Sequence, residues 1–268
     1  MKTVMSGLDL RAIASELSVL TGSHCKKCYQ PHYEQVVLRL RAKSGGNTDL
    51  VLVRGKRIYT SQRDRPMPQY PAPFAMVLRK VLTNARLKGI EQIGFDRVLR
   101  FMFENSHGTF HLYVEVFRDG NIILTDGEDL IIQPLTHATY AERTLKKGVK
   151  YNPPPAAQDP YELDFKSFSQ LMKSSDKNLG RTLGGVLNLG GGISGAICAE
   201  TGNNPDAKIE DVDLNIVWNS LQSMLHGDWK GYLFSGDDGY EQAWPIVLTT
   251  LKNKKYKEYD TMCEAVDE

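Results

Sequence analysis

The stretch RDRPMPQYPAPFAMVLRKVLTNARLKGIEQIGFDRVLRFMF, residues 63–103, decides the fold because it contains a turn, a helix and the start of a strand. Its prolines at positions 66, 68, 71 and 73 exclude a helix before residue 74. Apolar residues then recur at helical spacing, which predicts a helix over 74–85. The apolar run that begins at the Asp96-Arg97 pair predicts a strand over 97–104.

The same stretch concentrates positive charge on a chain that is otherwise nearly neutral. The 268 residues have a formal net charge of +1, whereas residues 63–103 hold eight Lys or Arg residues against three carboxylates. Such a patch favours a phosphate-rich partner, although a solvated helix face is the commoner fate of a basic run. The side chains expected to contact a phosphate backbone are Arg63, Arg65, Arg79, Arg86 and Lys88.

Composition limits the class of protein. Hydrophobic residues make up 41% and charged residues 24%, an ordinary globular balance. No apolar run approaches the length of a membrane span, and the polar N-terminus is unlike a secretory signal. We therefore predict a cytosolic protein without a membrane partner, in which the four cysteines are reduced thiols.

Upstream of the basic stretch, the pattern predicts one helix and then several strands. Ser6 is a suitable N-cap with Asp9 three residues later, so a helix is expected over 6–20. Short alternating segments then predict strands, and further strands follow the basic stretch. The predicted strands, beside 97–104, are 25–31, 34–42, 48–55, 56–62, 109–117, 121–126 and 129–135. Residues 1–152 are therefore predicted to form a β-rich domain.

A proline-rich segment, PPPAAQDPYELD at 153–164, marks the predicted end of this domain. It is typical of an extended linker. Beyond it the pattern becomes helical over 165–230, with helices expected at 165–174, 177–203 and 213–227. Residues 231–268 are expected to return as strands, including one over 244–248, and to lead into a coiled coil outside this sequence.

The glycine-rich segment LGRTLGGVLNLGGGISG, residues 179–195, predicts two short helices joined through Gly190, Gly191 and Gly192. Backbone N–H groups at the start of a helix form an anion site, which suits a nucleic-acid backbone. Close helix packing or helix C-capping would also explain the glycines. A Walker A loop is excluded because no Gly-Lys-Ser/Thr follows.

His24, Cys25, Cys28 and His32 have ligand types that suit zinc. However, structural zinc sites draw on two separated knuckles, and on a strand Cys25 and Cys28 should face opposite sides. We therefore predict no metal site. The sequence also shows no hydrolytic constellation, so we predict no catalytic residues and no cofactor.

Three motifs, RP-x-P at 65–68, FAM-x-LRK at 74–80 and GFDR at 94–97, carry a resemblance to a known family. Together with the opening MSGLDLRAIASEL and the glycine-rich segment, they resemble the NFACT family of ribosome-associated quality control. This family includes NEMF and RqcH, and the archaeal members are the most similar type. The resemblance covers nearly the whole chain.

The resemblance implies an α+β fold: a β-rich domain similar to the N-terminal domain of formamidopyrimidine-DNA glycosylases, then a helix-hairpin-helix domain. It also implies a tRNA-binding module, not itself an enzyme. Family members bind large ribosomal subunits obstructed by peptidyl-tRNA and promote untemplated alanine tails, so the partner expected here is alanine tRNA. The family positions essential for tailing match Asp9, Asp96 and Arg97.

Two other functions remain open at this stage. A base-excision enzyme of glycosylase type would fit the implied fold. However, such enzymes use an N-terminal proline amine as nucleophile, and this chain opens with Met1, Lys2 and Thr3. A protein-interaction scaffold is the third reading, because some bacterial relatives are described as fibronectin-binding adhesins.

Overall fold

The computed structural model describes residues 2–43, 45–155, 158–236 and 241–268. The helices of these residues are α1 (Gly7–Leu17), α2 (Pro73–Leu82), α3 (Phe165–Lys173), α4 (Leu179–Arg181), α5 (Gly190–Glu200), α6 (Leu214–Leu225) and α7 (Met262–Asp267). The strands are β1 (His24–His32), β2 (Gln35–Arg41), β3 (Asn47–Val53), β4 (Arg57–Ser61), β5 (Arg86–Gln92), β6 (Val98–Asn105), β7 (Gly108–Glu115), β8 (Ile122–Asp126), β9 (Ile131–Pro134), β10 (Ala138–Thr139), β11 (Thr144–Leu145), β12 (Gly231–Ser235), β13 (Glu241–Trp244) and β14 (Tyr256–Tyr259).

The first nine strands form one open antiparallel sheet in the order β4-β3-β2-β1-β5-β6-β7-β8-β9. Helix α1 packs across β4, β5 and β6, while α2 lies on β1. Fully buried Leu, Val, Ile and Phe side chains from the helices and strands fill the core between them. The strand-rich character predicted for the N-terminal part is therefore confirmed, and the structure adds that its sheet is open.

Strand β5 was not foreseen, because the sequence RLKGIEQ mixes charges and a glycine where a strand would alternate cleanly. Helix α2 stops at Leu82, three residues earlier than predicted, and Asn84 has a positive φ of 64°. The chain then turns back and pairs with β6 across a register shift between Leu87 and Gly89. This hairpin places the Asp96-Arg97 pair in its connecting turn.

The helices beyond residue 164 surround a second core, which also includes Leu8 and Phe95 from the first part of the chain. Residues 156 and 157 of the predicted linker lie outside the described residues. Its second half is not a free spacer, since Pro160 is buried and a 3-10 turn covers Pro160–Glu162. The carboxylate of Asp159 also contacts Arg11 of α1 at 3.3 Å.

The last part of the chain folds back onto the first. Strands β12, β13 and β14 form a separate three-stranded sheet, and of the predicted strand 244–248 only Trp244 lies in a strand. Helix α7 packs on α1 and β4. Its first N–H groups, at Met262 and Cys263, donate to the Glu16 carboxylate at 2.6 and 2.9 Å. A residue of α1 therefore caps the last helix.

Candidate nucleic-acid site

The turn between β5 and β6, residues 93–97, holds the Asp96-Arg97 pair at the head of a strand. It is closed by backbone hydrogen bonds from Ile93 to Val98 at 3.0 Å and from Asp96 to Ile93 at 3.1 Å. The backbone N–H of Arg97 donates to Oδ1 of Asp96 at 2.7 Å. Both residues are partly exposed. The carboxylate thus stiffens the turn that presents the guanidinium.

Helix α1 begins directly against this turn. The side-chain amide of Gln92 donates to the carbonyls of Gly7 and Asp96, each at 2.9 Å. A Cβ on Gly7 would lie only 2.7 Å from the Phe95 carbonyl oxygen, so only glycine permits this approach. The first turn of α1, which includes Asp9, is therefore fixed beside the Asp96-Arg97 pair.

Asp9 is fully buried, so its carboxylate is not exposed to a bound tRNA in this structure, and its part in tRNA binding stays a prediction. Its Oδ2 accepts from the Ser6 N–H at 2.6 Å and from the Ser6 hydroxyl at 2.8 Å, which confirms the predicted capping box. The same oxygen lies 2.7 Å from the ammonium of Lys2. Asp9 thus holds the start of α1 and the N-terminal segment in place.

Lys2 connects Asp9 with the final sheet. Its ammonium donates to the Ala243 carbonyl at 2.6 Å and lies 3.2 Å from the centre of the Trp244 ring. Burial lowers the pKa of Lys2 to about 8, even though Asp9 acts to raise it. Helix α5 also approaches the Trp244 ring, since a Cβ on Gly192 would come within 2.3 Å of it.

The start of α5 carries exposed glycines beside the Asp96-Arg97 turn. Asn188 and Gly190 both have positive φ, 54° and 73°, and bring the chain into the helix. The Asn188 side-chain amide donates to the Phe95 carbonyl and to Oδ1 of Asp96, both at 3.2 Å. A Cβ on Gly191 would meet nothing within 4 Å, so this part of the helix start is open.

One cleft of about 450 Å³ therefore gathers Arg97, Lys2, Ser6 and the glycines Gly190–Gly192. The Arg97 guanidinium lies 6.0 Å from the centre of the Phe117 ring. It forms no ion pair with any residue that the structure describes. An uncompensated guanidinium facing the free N–H groups of a helix start suits an anionic ligand such as phosphate.

Four of the five predicted backbone contacts have partners within the protein: Lys88, described below, and three arginines. Arg63 and Arg65 form ion pairs with Asp267 at 3.5 and 2.5 Å, and Arg63 also contacts Glu268. Arg79 donates to the Cys28 carbonyl at 2.7 Å. Their role in RNA binding stays a prediction, but the structure uses them to fasten α7 and α2.

Arg86 and Lys88 are exposed, but they lie at the opposite end of the β5–β6 hairpin from Arg97. Arg86 pairs with Glu104 in the ladder, whereas Gln92 pairs with Leu99 next to the turn. Six strand steps correspond to about 20 Å. The Lys88 ammonium is also 2.7 Å from the Glu104 carboxylate. The basic residues are close together in the sequence, but the structure places Arg97 and Arg86 at opposite ends of the hairpin.

The cysteine pair corrects another expectation. A register shift in β1 between Cys25 and Lys27 turns both Cys25 and Cys28 into the core, with their sulfur atoms 3.6 Å apart. The hydrogen bond with Cys25, followed by burial, raises the pKa of Cys28 well above its ordinary value. Within the described parts of the chain, no group of three or more His, Cys, Asp or Glu side chains is placed to hold a metal.

Comparison with known proteins identifies the family. The family model described as NFACT N-terminal and middle domains matches residues 6–268, and the chain belongs to this family. It is 31% identical to the archaeal Rqc2 homolog aRqcH of Methanocaldococcus jannaschii, covering 100% of this chain and 42% of that protein. It is 28% identical to the ribosome quality control complex subunit NEMF of Homo sapiens, with 100% and 28% covered.

Two solved structures have a similar fold. The N-terminal part of the fibronectin/fibrinogen-binding protein of Streptococcus suis superposes with a TM-score of 0.79 at 21% identity, over 98% of this chain and 97% of that one. The fibrinogen binding protein of Staphylococcus aureus gives a TM-score of 0.78 at 20% identity, with 98% and 97% covered. Among the described residues, no helix is long and apolar enough to cross a membrane.

Sequence reasoning missed the residues that assemble the cleft. Gln92 and Asn188 act through side-chain amides across long sequence separations, and neither lies in a motif. Lys2 and Trp244 meet only because β13 returns to the N-terminus. Besides Arg97, the glycines gave a usable signal, since Gly190 has a positive φ and Gly192 lies against Trp244.

Proposed function

We propose that this chain is the tRNA-binding module of a ribosome quality control factor. The observation that carries the proposal is the meeting of the Arg97 guanidinium with the glycine-rich start of α5 in one cleft. The two features lie far apart in the sequence, and Asn188 ties them together. Both favour phosphate, and tRNA presents phosphates beside hydroxyls and base edges.

Each group in the cleft has a distinct role in this proposal. Arg97 binds phosphate through its planar fork of donors. The N–H groups of Gly191 and Gly192 bind an adjacent phosphate, as in a helix-hairpin-helix module. Oδ1 of Asp96 is already engaged with Arg97 and Asn188, which leaves the other oxygen for a ribose hydroxyl or a base amino group. Asp9 acts indirectly, by holding Lys2 and Ser6.

The role proposed for the whole protein is inferred from the names of its relatives. The names of the archaeal and human proteins place them in ribosome quality control, and this chain spans less than half of their length. We infer that the complete factor binds obstructed large ribosomal subunits and promotes alanine tailing with alanine tRNA. The module itself would bind rather than catalyse, since peptide bonds would form on the ribosome.

Equilibrium binding of this chain to purified tRNA tests the proposal. We expect Arg97→Ala to weaken binding by about tenfold or more, and Arg97→Lys to recover only part of it, because a lysine lacks the planar fork. Thermal unfolding of each variant checks that the fold is intact. Unchanged affinity in Arg97→Ala, or no binding by the wild type, would contradict the proposal.

A further inference from the structure

The extended N-terminal segment, residues 2–5, is surrounded by three depressions in the surface. The first is the cleft that contains Arg97. The second is lined by Lys56 and Arg57 and reaches α7. The third is lined by Arg54, Lys56 and Arg118. Val4 forms part of the wall of all three, so together they make a continuous surface around this segment.

Backbone hydrogen bonds fix the arginines of this surface relative to one another. The Met5 N–H donates to the Lys56 carbonyl at 3.0 Å, which holds the β3–β4 turn beside the segment. The Gly55 N–H donates to the Glu115 carbonyl at 3.1 Å, and the Val116 N–H to the Arg97 carbonyl at 2.8 Å. The turn that carries Arg118 is therefore attached to both Arg97 and the β3–β4 turn.

The charge of this surface is unbalanced. Lys56 is paired with Glu34 at 2.8 Å, and Glu268 with Arg63. Arg54 donates only to neutral oxygens, those of Gly120 and Thr136. The remaining lining arginines are Arg57, Arg97 and Arg118, which form no ion pair with a described residue, while Asp119 is the one unpaired carboxylate among the described lining residues.

We propose that Arg57 and Arg118 extend the Arg97 cleft into a track for the phosphate backbone of the bound tRNA. This inference rests on the proposed function. Both side chains are exposed; Arg57 is the first residue of β4, next to the β3–β4 turn, and Arg118 lies in the β7–β8 turn, which is hydrogen-bonded to Arg97. Guanidinium groups outside carboxylate pairs are suited to phosphate and add salt-dependent affinity. The tRNA path would thus follow the β3–β4 and β7–β8 turns rather than helix α2.

Charge reversal on matched pairs tests this track. The variant Arg57→Glu with Arg118→Glu is compared with Lys166→Glu with Lys173→Glu on the exposed side of α3, which changes the net charge equally outside this surface. tRNA binding is measured over a series of salt concentrations. We expect the first variant to bind at least about tenfold more weakly, with its salt slope reduced by roughly 2, and the second to change affinity by less than about threefold.

The outcomes separate the two proposals. If Arg97→Ala loses tRNA while the Arg57/Arg118 variant keeps it, the track is wrong and the proposed function stands. Equal weakening by both charge-reversed pairs would also overturn the track, because only net charge would then matter. If the wild type binds no tRNA, both proposals fail. If the Arg57/Arg118 variant binds tRNA normally but loses co-sedimentation with large ribosomal subunits, the surface binds ribosomal RNA and the tRNA track is overturned.

Discussion

The two ends of the β5–β6 hairpin carry similar residues but use them differently. At the turn end, Arg97 faces an open cleft without a carboxylate partner. At the other end, Lys88 is matched by Glu104 and Arg86 lies beside the same carboxylate in the ladder. Local excess of charge in a sequence therefore does not locate the charge available to a partner. Whether a basic side chain is available depends on whether the neighbouring strand places a carboxylate beside it.

The largest effect that would sharpen this comparison is expected at the buried pair beside the turn. Asp9→Ala leaves the Lys2 ammonium without its partner and removes a capping box, so we expect it to destabilise the protein by roughly 3–5 kcal/mol. Urea unfolding measures this loss. Glu104→Ala, at the opposite end, removes an exposed partner and is the control, for which no measurable change is expected. Equal losses would contradict the distinction.

The glycines at the start of α5 give the next effect. Gly192→Ala would bring a Cβ within 2.3 Å of the Trp244 ring, so we expect a loss of about 1–3 kcal/mol from overpacking. Gly191→Ala meets open space and should leave the unfolding midpoint unchanged. A matched pair of melting curves makes the comparison. Equal midpoints for the two variants would show that the Trp244 contact does not constrain α5.

The lowered pKa of Lys2 implies that the stability of the protein depends on pH. This pKa is about 8 in the folded protein, below the ordinary value of 10.5, so between these values the unfolded chain binds more protons than the folded one. Stability should therefore rise with pH from about 8 towards 10.5, and this contribution should be flat below pH 8. The difference in unfolding free energy between wild type and Lys2→Met, measured across this range, should show the rise. A constant difference would contradict the lowered pKa.

The smallest effect is expected for Arg63. Its guanidinium is half exposed and pairs with carboxylates of α7, so Arg63→Ala should leave tRNA affinity and its salt slope unchanged. The stability cost of losing an exposed pair is about 0–1 kcal/mol. Binding curves at two salt concentrations check this. A reduced salt slope in Arg63→Ala would show that Arg63 contacts the tRNA phosphates, as the sequence predicted.

Much of the fold could be predicted because it follows from local patterns. The Ser6–Asp9 capping box, the proline-limited start of α2 and the alternating strands each depend on neighbouring residues. Strand β5 could not be predicted in the same way, since its pairing with β6 supplies the stability that its own sequence lacks. The β1 bulge similarly reversed the expected facing of Cys25 and Cys28.

For the candidate site, the motif predicted Arg97 and the glycines but not the way in which they meet. That meeting depends on the Gln92 and Asn188 amides and on the Lys2–Trp244 contact, all of them between residues distant in the sequence. The sequence could not predict the burial of Asp9 either, because a capping residue can be exposed or buried. Only the packing of α1 on the turn settles it.

Hydrogen exchange of this chain with and without tRNA tests the central claim most directly. The first N–H groups of α5, at Gly191 and Gly192, have no partner within the helix and should exchange quickly in the free protein. We expect tRNA to slow exchange there and at residues 93–97, while the β6–β7 turn at 106–107, at the opposite end of the β5–β6 hairpin, is unaffected. Protection confined to that opposite end, with none at the start of α5, would contradict it.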